Sequence, residues 1–163
     1  MAGSTNQVRN QSPRKGNLAH QTRAEHDALL DAMHRLEASL AAAAPGRERE
    51  WNSRAFAALR TVHKALETHI ASAEGPQGLF AELDLTRPAL VRRVERLRHD
   101  HFDLLQRVEG LLVRVEHFCS EDRPDFSDIR RRAAQLLEAL RHHQALETDL
   151  IFETFYTDIG AGD

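Results

Sequence analysis

Apolar residues return at alternating intervals of three and four along most of the chain, the signature of α-helices with one buried stripe. The clearest stripe is Val94, Leu97, His101, Leu104, Val108, Leu111 and Val115, followed by Ile129, Ala133, Leu136, Leu140, His143, Glu147 and Leu150. Phe56, Leu59, His63, Leu66 and Ile70 give a third, with Glu67 beside it, and His26, Leu29, Met33, Leu36 and Leu40 a fourth. The main breakers, Pro45-Gly46, Gly75-Pro76 and the SEDRPD stretch from Ser120, fall between the stripes. Four long helices are therefore predicted, over about Leu18–Ala44, Arg47–Glu74, Thr86–Phe118 and Phe126–Tyr156. Thr86 is expected to cap the third, with Pro88 in its first turn, and residues 75–85 to form a loop.

Short connections between long helices make neighbours antiparallel, so the predicted fold is all-α, an up-down-up-down four-helix bundle over residues 18–160. With 163 residues, 41% of them hydrophobic, the chain can bury one substantial core but not two. Only eight Gly and five Pro among many Ala, Leu, Glu and Arg reinforce the helical reading. Residues 1–17 carry three basic residues, no acidic ones and almost nothing apolar, and are expected to be a disordered polar tail.

A net charge of -3, with both signs mixed along every segment, gives no one-signed face for nucleic acid or an anionic membrane. The sequence contains no run approaching the roughly 20 apolar residues that span a bilayer, and no apolar secretory leader. One cysteine, Cys119, can form neither an internal disulfide nor a thiolate metal site, which points to the reducing cytoplasm.

Two segments stand out for their chemistry. The octet HKALETHI from His63 returns as HQALETDL from His143, so a histidine and a glutamate four apart occur twice. On a helix that spacing puts both side chains on one face, stems about 6 Å apart, within reach of a single ion. Counting residues outward from each turn at ~1.5 Å per residue brings His26, His63, His101 and His143 to one level at mid-bundle. EHDALL from Glu25 likewise matches DHFDLL from Asp100, as though one hairpin had been duplicated. A buried layer of four imidazoles and two carboxylates is costly without partners, about 1 to 3 kcal/mol for each unpaired group. Metal would satisfy all six groups at once.

The expected arrangement gives one ion His26 and His63, the other His101 and His143, with Glu67 and Glu147 bridging. An oxo or hydroxo bridge makes five ligands per ion and leaves an octahedral metal one open position for O₂ or peroxide. Imidazole and carboxylate without thiolate suit iron best, with zinc and manganese as alternatives. His20, His34, His69, His99, His117 and His142 fall outside the repeat and are expected at the surface. Tyr156 lies too far past Glu147 for a redox role, and Arg130, Arg131 and Arg132 read as a solvated face.

The order H, HxxxE, H, HxxxE on successive helices resembles the hemerythrin-like (HHE cation-binding) family over nearly all of residues 18–160. That resemblance implies ligands at His26, His63, Glu67, His101, His143 and Glu147, holding a non-haem, oxygen-reactive di-iron centre. Oxygen-carrying members have a second histidine one turn after the first on the third helix and an HxxxxD motif on the fourth. Leu105 and Thr148 stand at the matching positions here, so the chain is more similar to the six-ligand variety, like the iron-sensing domain of an F-box ubiquitin-ligase subunit, than to oxygen carriers. The function expected is binding or sensing of O₂, peroxide, NO or iron and redox state. The alternatives are a di-iron oxidoreductase (peroxidase or catalase-like, or a ferrous oxidase) and an interaction module whose metal only holds the helices together.

Overall fold

In the computed structural model, which describes residues 12–42, 46–120 and 125–155, the chain forms four long helices and one short one. These are α1 (Ser12–Ala41), α2 (Glu48–Glu74), α3 (Leu79–Thr86), α4 (Val91–His117) and α5 (Phe126–Phe155). The long helices α1, α2, α4 and α5 each pack against the next, and α5 closes back on α1, as an up-down-up-down bundle requires. Among the described residues there is no strand.

The predicted stripe on α4 is the buried one, residue for residue, and every residue of the predicted α5 stripe is buried, with Leu137 and Thr154 beside it. On α2 the buried face is instead Trp51, Ala55, Leu59, Val62, Leu66, His69 and Ala73. The predicted stripe shares Leu59 and Leu66 with it, but Phe56, His63 and Ile70 lie along its border and are only partly buried. That small rotation about the helix axis decides which α2 histidine faces inward.

Two further expectations change. Ser12 to Asn17 continue α1, so the expected tail gives way to helix earlier; Pro13 stands in the first turn, where a missing N–H costs nothing. Residues 1–11, and Tyr156 at the expected end of α5, lie outside the described residues. Residues 79–85, expected to be part of a loop, and Thr86, expected to cap the next helix, form α3, because Leu79, Phe80 and Leu83 share a face that is buried against α2 and α4. Thr86 ends this helix, its hydroxyl donating to the Glu82 carbonyl, and Pro88 opens a single 3₁₀ turn before α4.

Gly78 makes the approach of α3 possible. A Cβ there would lie 2.2 Å from the Ser72 carbonyl oxygen and 2.5 Å from that of Ala73, both backbone atoms at the end of α2. Gly78→Ala is expected to destabilise the fold by about 1–3 kcal/mol, the usual range for overpacking. An unchanged urea midpoint would show that α3 is not held this tightly.

The arginine run has structural partners. Arg130 donates to the carbonyls of Leu40 and Ala42 at the C-terminal end of α1, where positive charge is favourable, and lies 5.6 Å from the Trp51 ring centre. Arg131 and Arg132 both pair with Asp128, so the run is more than a solvated face.

The buried apolar residues fall into two clusters. The larger runs from the Trp51, Phe118 and Phe126 end to Leu66, Leu104 and Leu140; the smaller joins Ala73, Leu97 and Leu150 to Leu79, Phe80 and Leu83 of α3. Between them in sequence, on three helices, stand His69, His101, His143 and Glu147. The polar layer interrupts the core at that level.

Candidate metal centre

His69, His101, His143 and Glu147 are all essentially inaccessible to solvent, and one ligand atom from each lies within 4.8 Å of all the others. The Glu147 carboxylate is the hub. Its Oε2 lies 2.7 Å from His26 Nε2, 3.0 Å from His69 Nε2 and 3.8 Å from His143 Nε2, while its Oε1 is 3.7 Å from His101 Nε2. His69 Nε2 and His101 Nε2 face each other at 3.2 Å. Each long helix thus sends one imidazole to a common point, and α5 adds the carboxylate.

Of the predicted residues, His26, His101, His143 and Glu147 are brought together. His63 and Glu67 are not: the His63 ring lies 3.5 Å from Glu67 and 3.6 Å from Glu109 of α4, and both carboxylates are about half exposed. His69, expected at the surface, is fully buried and takes the α2 position at the centre. The cause is the rotated α2 stripe. Leu66 and His69 correspond to Leu140 and His143, whereas the repeated octet sets His63 against His143, six residues out of register. A continuous stripe through Val62, Leu66, His69 and Ala73 was the available signal.

An outer ring of carboxylates backs the imidazoles. Glu74 Oε1 lies 2.7 Å from His101 Nδ1, Glu25 Oε2 3.6 Å from His69 Nδ1, and Asp100 Oδ2 3.8 Å from His143 Nδ1. A proton held on His101 Nδ1 by Glu74 leaves the Nε2 lone pair aimed at the centre, the arrangement that orients metal-binding histidines. Phe80 of α3 stacks on the His101 ring, centroids 5.4 Å apart and planes 19° apart. Arg98 lies over Phe80 and bonds Asp84 of α3 at 2.6 Å. The short helix therefore closes one side of the centre with an apolar ring.

The electrostatics follow from burial and from Glu147. Burial pushes His101 and His143 down to about 4, so both are neutral at pH 7 and able to donate a lone pair. Burial also opposes charge on His69, but contact with Glu147 and Glu25 outweighs it and raises His69 to about 9. Burial would raise Glu147, yet its bonds with His26 and His69 hold it well below the usual carboxylate range. Burial raises Glu74, with the charge of Glu147 adding to the effect. Without metal, the centre holds its one inner carboxylate against a protonated His69.

Several polar atoms at this point have no hydrogen-bond partner: both nitrogens of His143, His69 Nδ1, Glu147 Oε1 and Glu25 Oε2. Of these, His143 Nε2 and Glu147 Oε1 face the centre, and unpartnered acceptor atoms brought together in a buried layer suit a cation.

A family model describing the hemerythrin HHE cation-binding domain matches residues 17–155. The chain belongs to the hemerythrin HHE cation-binding family. Metal binding, usually of iron, comes with membership, and the buried histidine and glutamate cluster of this HHE domain is the group that could hold the ion. No curated protein and no solved structure matches the chain. Among the described residues of the HHE domain, no helix is long and apolar enough to cross a membrane.

Proposed function

We propose that this HHE domain is an iron-binding protein that binds or senses O₂, peroxide or NO, with His26, His69, His101, His143 and Glu147 as its ligands. The observation that carries the reading is the meeting of four imidazole Nε2 atoms around one buried carboxylate, with His143 Nε2 and Glu147 Oε1 left without partners. His69 replaces His63 and Glu67 in this set because those two lie with Glu109 on a half-exposed face. Imidazole and carboxylate oxygen suit iron, with manganese and zinc as competitors.

Access supports a small ligand. A cleft of about 610 Å³ between α1 and α5 is lined by Arg23, His26, Asp27, Gln144 and Phe152, among others. His26, with 13% of its side chain exposed, is the one ligand that reaches this cleft. Gln144 fixes the adjacent backbone by donating to the His26 carbonyl at 3.0 Å. A diatomic molecule or peroxide arriving here would meet the edge of the centre without any rearrangement of the core. The lone Cys119 accords with a cytoplasmic setting.

The test is reconstitution of metal-free protein with ferrous iron, followed by melting curves and optical spectra before and after O₂, peroxide and NO. Iron at a hundredfold excess over its dissociation constant should stabilise the fold by about 2.7 kcal/mol. For a domain of this size that is roughly 5–10 °C in Tm. New absorption on exposure to one of the three ligands is expected. Stabilisation with a spectrum indifferent to all of them would leave a purely structural metal.

A further inference from the structure

We infer that the centre holds one metal ion, not a pair, in a four-histidine, one-carboxylate site. This rests on the metal-binding reading above. Its first support is the spacing of the donors. With metal–ligand bonds of about 2.1 Å, neighbouring donors on one octahedral ion stand about 3.0 Å apart and opposite ones about 4.2 Å. The contacts of Glu147 with the four imidazoles span 2.7 to 3.8 Å, and His69 and His101 approach to 3.2 Å. Two ions about 3.5–4 Å apart would instead spread their outermost ligands to roughly 6–8 Å. No pair within the group of His69, His101, His143 and Glu147 exceeds 4.8 Å, and His26 joins that group through Glu147 Oε2 at 2.7 Å.

The second support is the supply of carboxylates. On α5, His143 is followed four residues later by Glu147; on α2, His69 is followed four residues later by Ala73, which is buried against the α3 end of the core. The second half-site therefore lacks its bridging group. Among the described residues, the other nearby carboxylates, Glu25, Glu74 and Asp100, lie against the outward Nδ1 atoms of His69, His101 and His143. They orient ligands instead of joining ions.

The third support is charge. One dication against Glu147 leaves a net charge of about +1 in the layer, whereas two dications with the same carboxylate and a hydroxide leave about +2 in a low-dielectric interior. The chain's own residues thus provide for one ion.

The experiment is anaerobic titration of the full metal-free chain with Mn(II), read by elemental analysis after gel filtration and by electron paramagnetic resonance. One ion per chain, with the spectrum of an isolated Mn(II), is expected. Two ions per chain with an exchange-coupled spectrum would overturn the single-ion assignment while leaving metal binding intact. Retention of neither Mn(II) nor ferrous iron under the same conditions would overturn both this inference and the reading beneath it.

Discussion

His69→Ala should purify without iron, whereas His63→Ala should keep it. The two histidines are six residues apart on α2, yet His69 is buried with its Nε2 at 3.0 Å from Glu147, and His63 lies on the helix border near Glu67 and Glu109. Loss of a second-layer partner typically weakens metal binding 10–100-fold, so loss of a ligand itself should cost on the order of a hundredfold or more. Removing His63 should change the affinity by no more than about twofold, as a partner outside both layers would. Competition with a chelator of known affinity measures both. The opposite pattern, with His63 essential and His69 dispensable, would restore the paired site that the repeated octet suggests.

Glu147→Ala should have the second large effect, on the metal-free fold as well as on metal binding. In the metal-free chain this fully buried carboxylate is the counter-charge for His69 and the hydrogen-bond partner of His26. Breaking a buried ion pair from one side costs about 3–5 kcal/mol, because the remaining charge must be neutralised or exposed. For a domain of this size the loss corresponds to a fall of roughly 6–20 °C in Tm. Glu147→Gln, which keeps the shape and one carbonyl oxygen, should lose metal while recovering part of that stability. A Glu147→Ala protein with unchanged melting temperature and metal content would remove Glu147 from the centre.

The sequence made the bundle and three of its four ligand-bearing stripes legible because periodicity reports burial directly. Val94 through Val115 and Ile129 through Leu150 have no competing reading: every third or fourth residue is apolar or a ligand. Helix α2 has two stripes about one residue apart, Leu59–His63–Leu66–Ile70 and Leu59–Val62–Leu66–His69, both acceptable on hydrophobicity alone. The ALET repeat favoured the first, and only packing against α1 and α4 selects the second. Local likeness is no guide to register when the matching residues, Ala65 and Ala145 for example, lie off the ligand face.

Helix α3 was hidden for a different reason. Eight residues are too few for a helix to be stable alone, so GLFAELDLT reads as a connection until Leu79, Phe80 and Leu83 find a surface to cover. That surface includes the His101 ring, which itself belongs to the centre. The backing carboxylates Glu25, Glu74 and Asp100 were equally invisible, since no spacing rule links them to histidines on other helices.

The interruption of the core has a consequence for how the molecule comes apart. Its larger apolar cluster joins α1, α2, α4 and α5, whereas the smaller one, with α3, lies beyond the ligand layer and meets it where Phe80 stacks on His101. An ion bonded to all four long helices would bind the two ends into one cooperative unit. Without it, the α3 end is the part free to open locally, so amide exchange near Leu79 to Leu83 should quicken on metal removal while that near Leu36 and Leu136 stays slow. Metal load would then be reported by cooperativity at one end of the protein, about a turn or two from the ion itself.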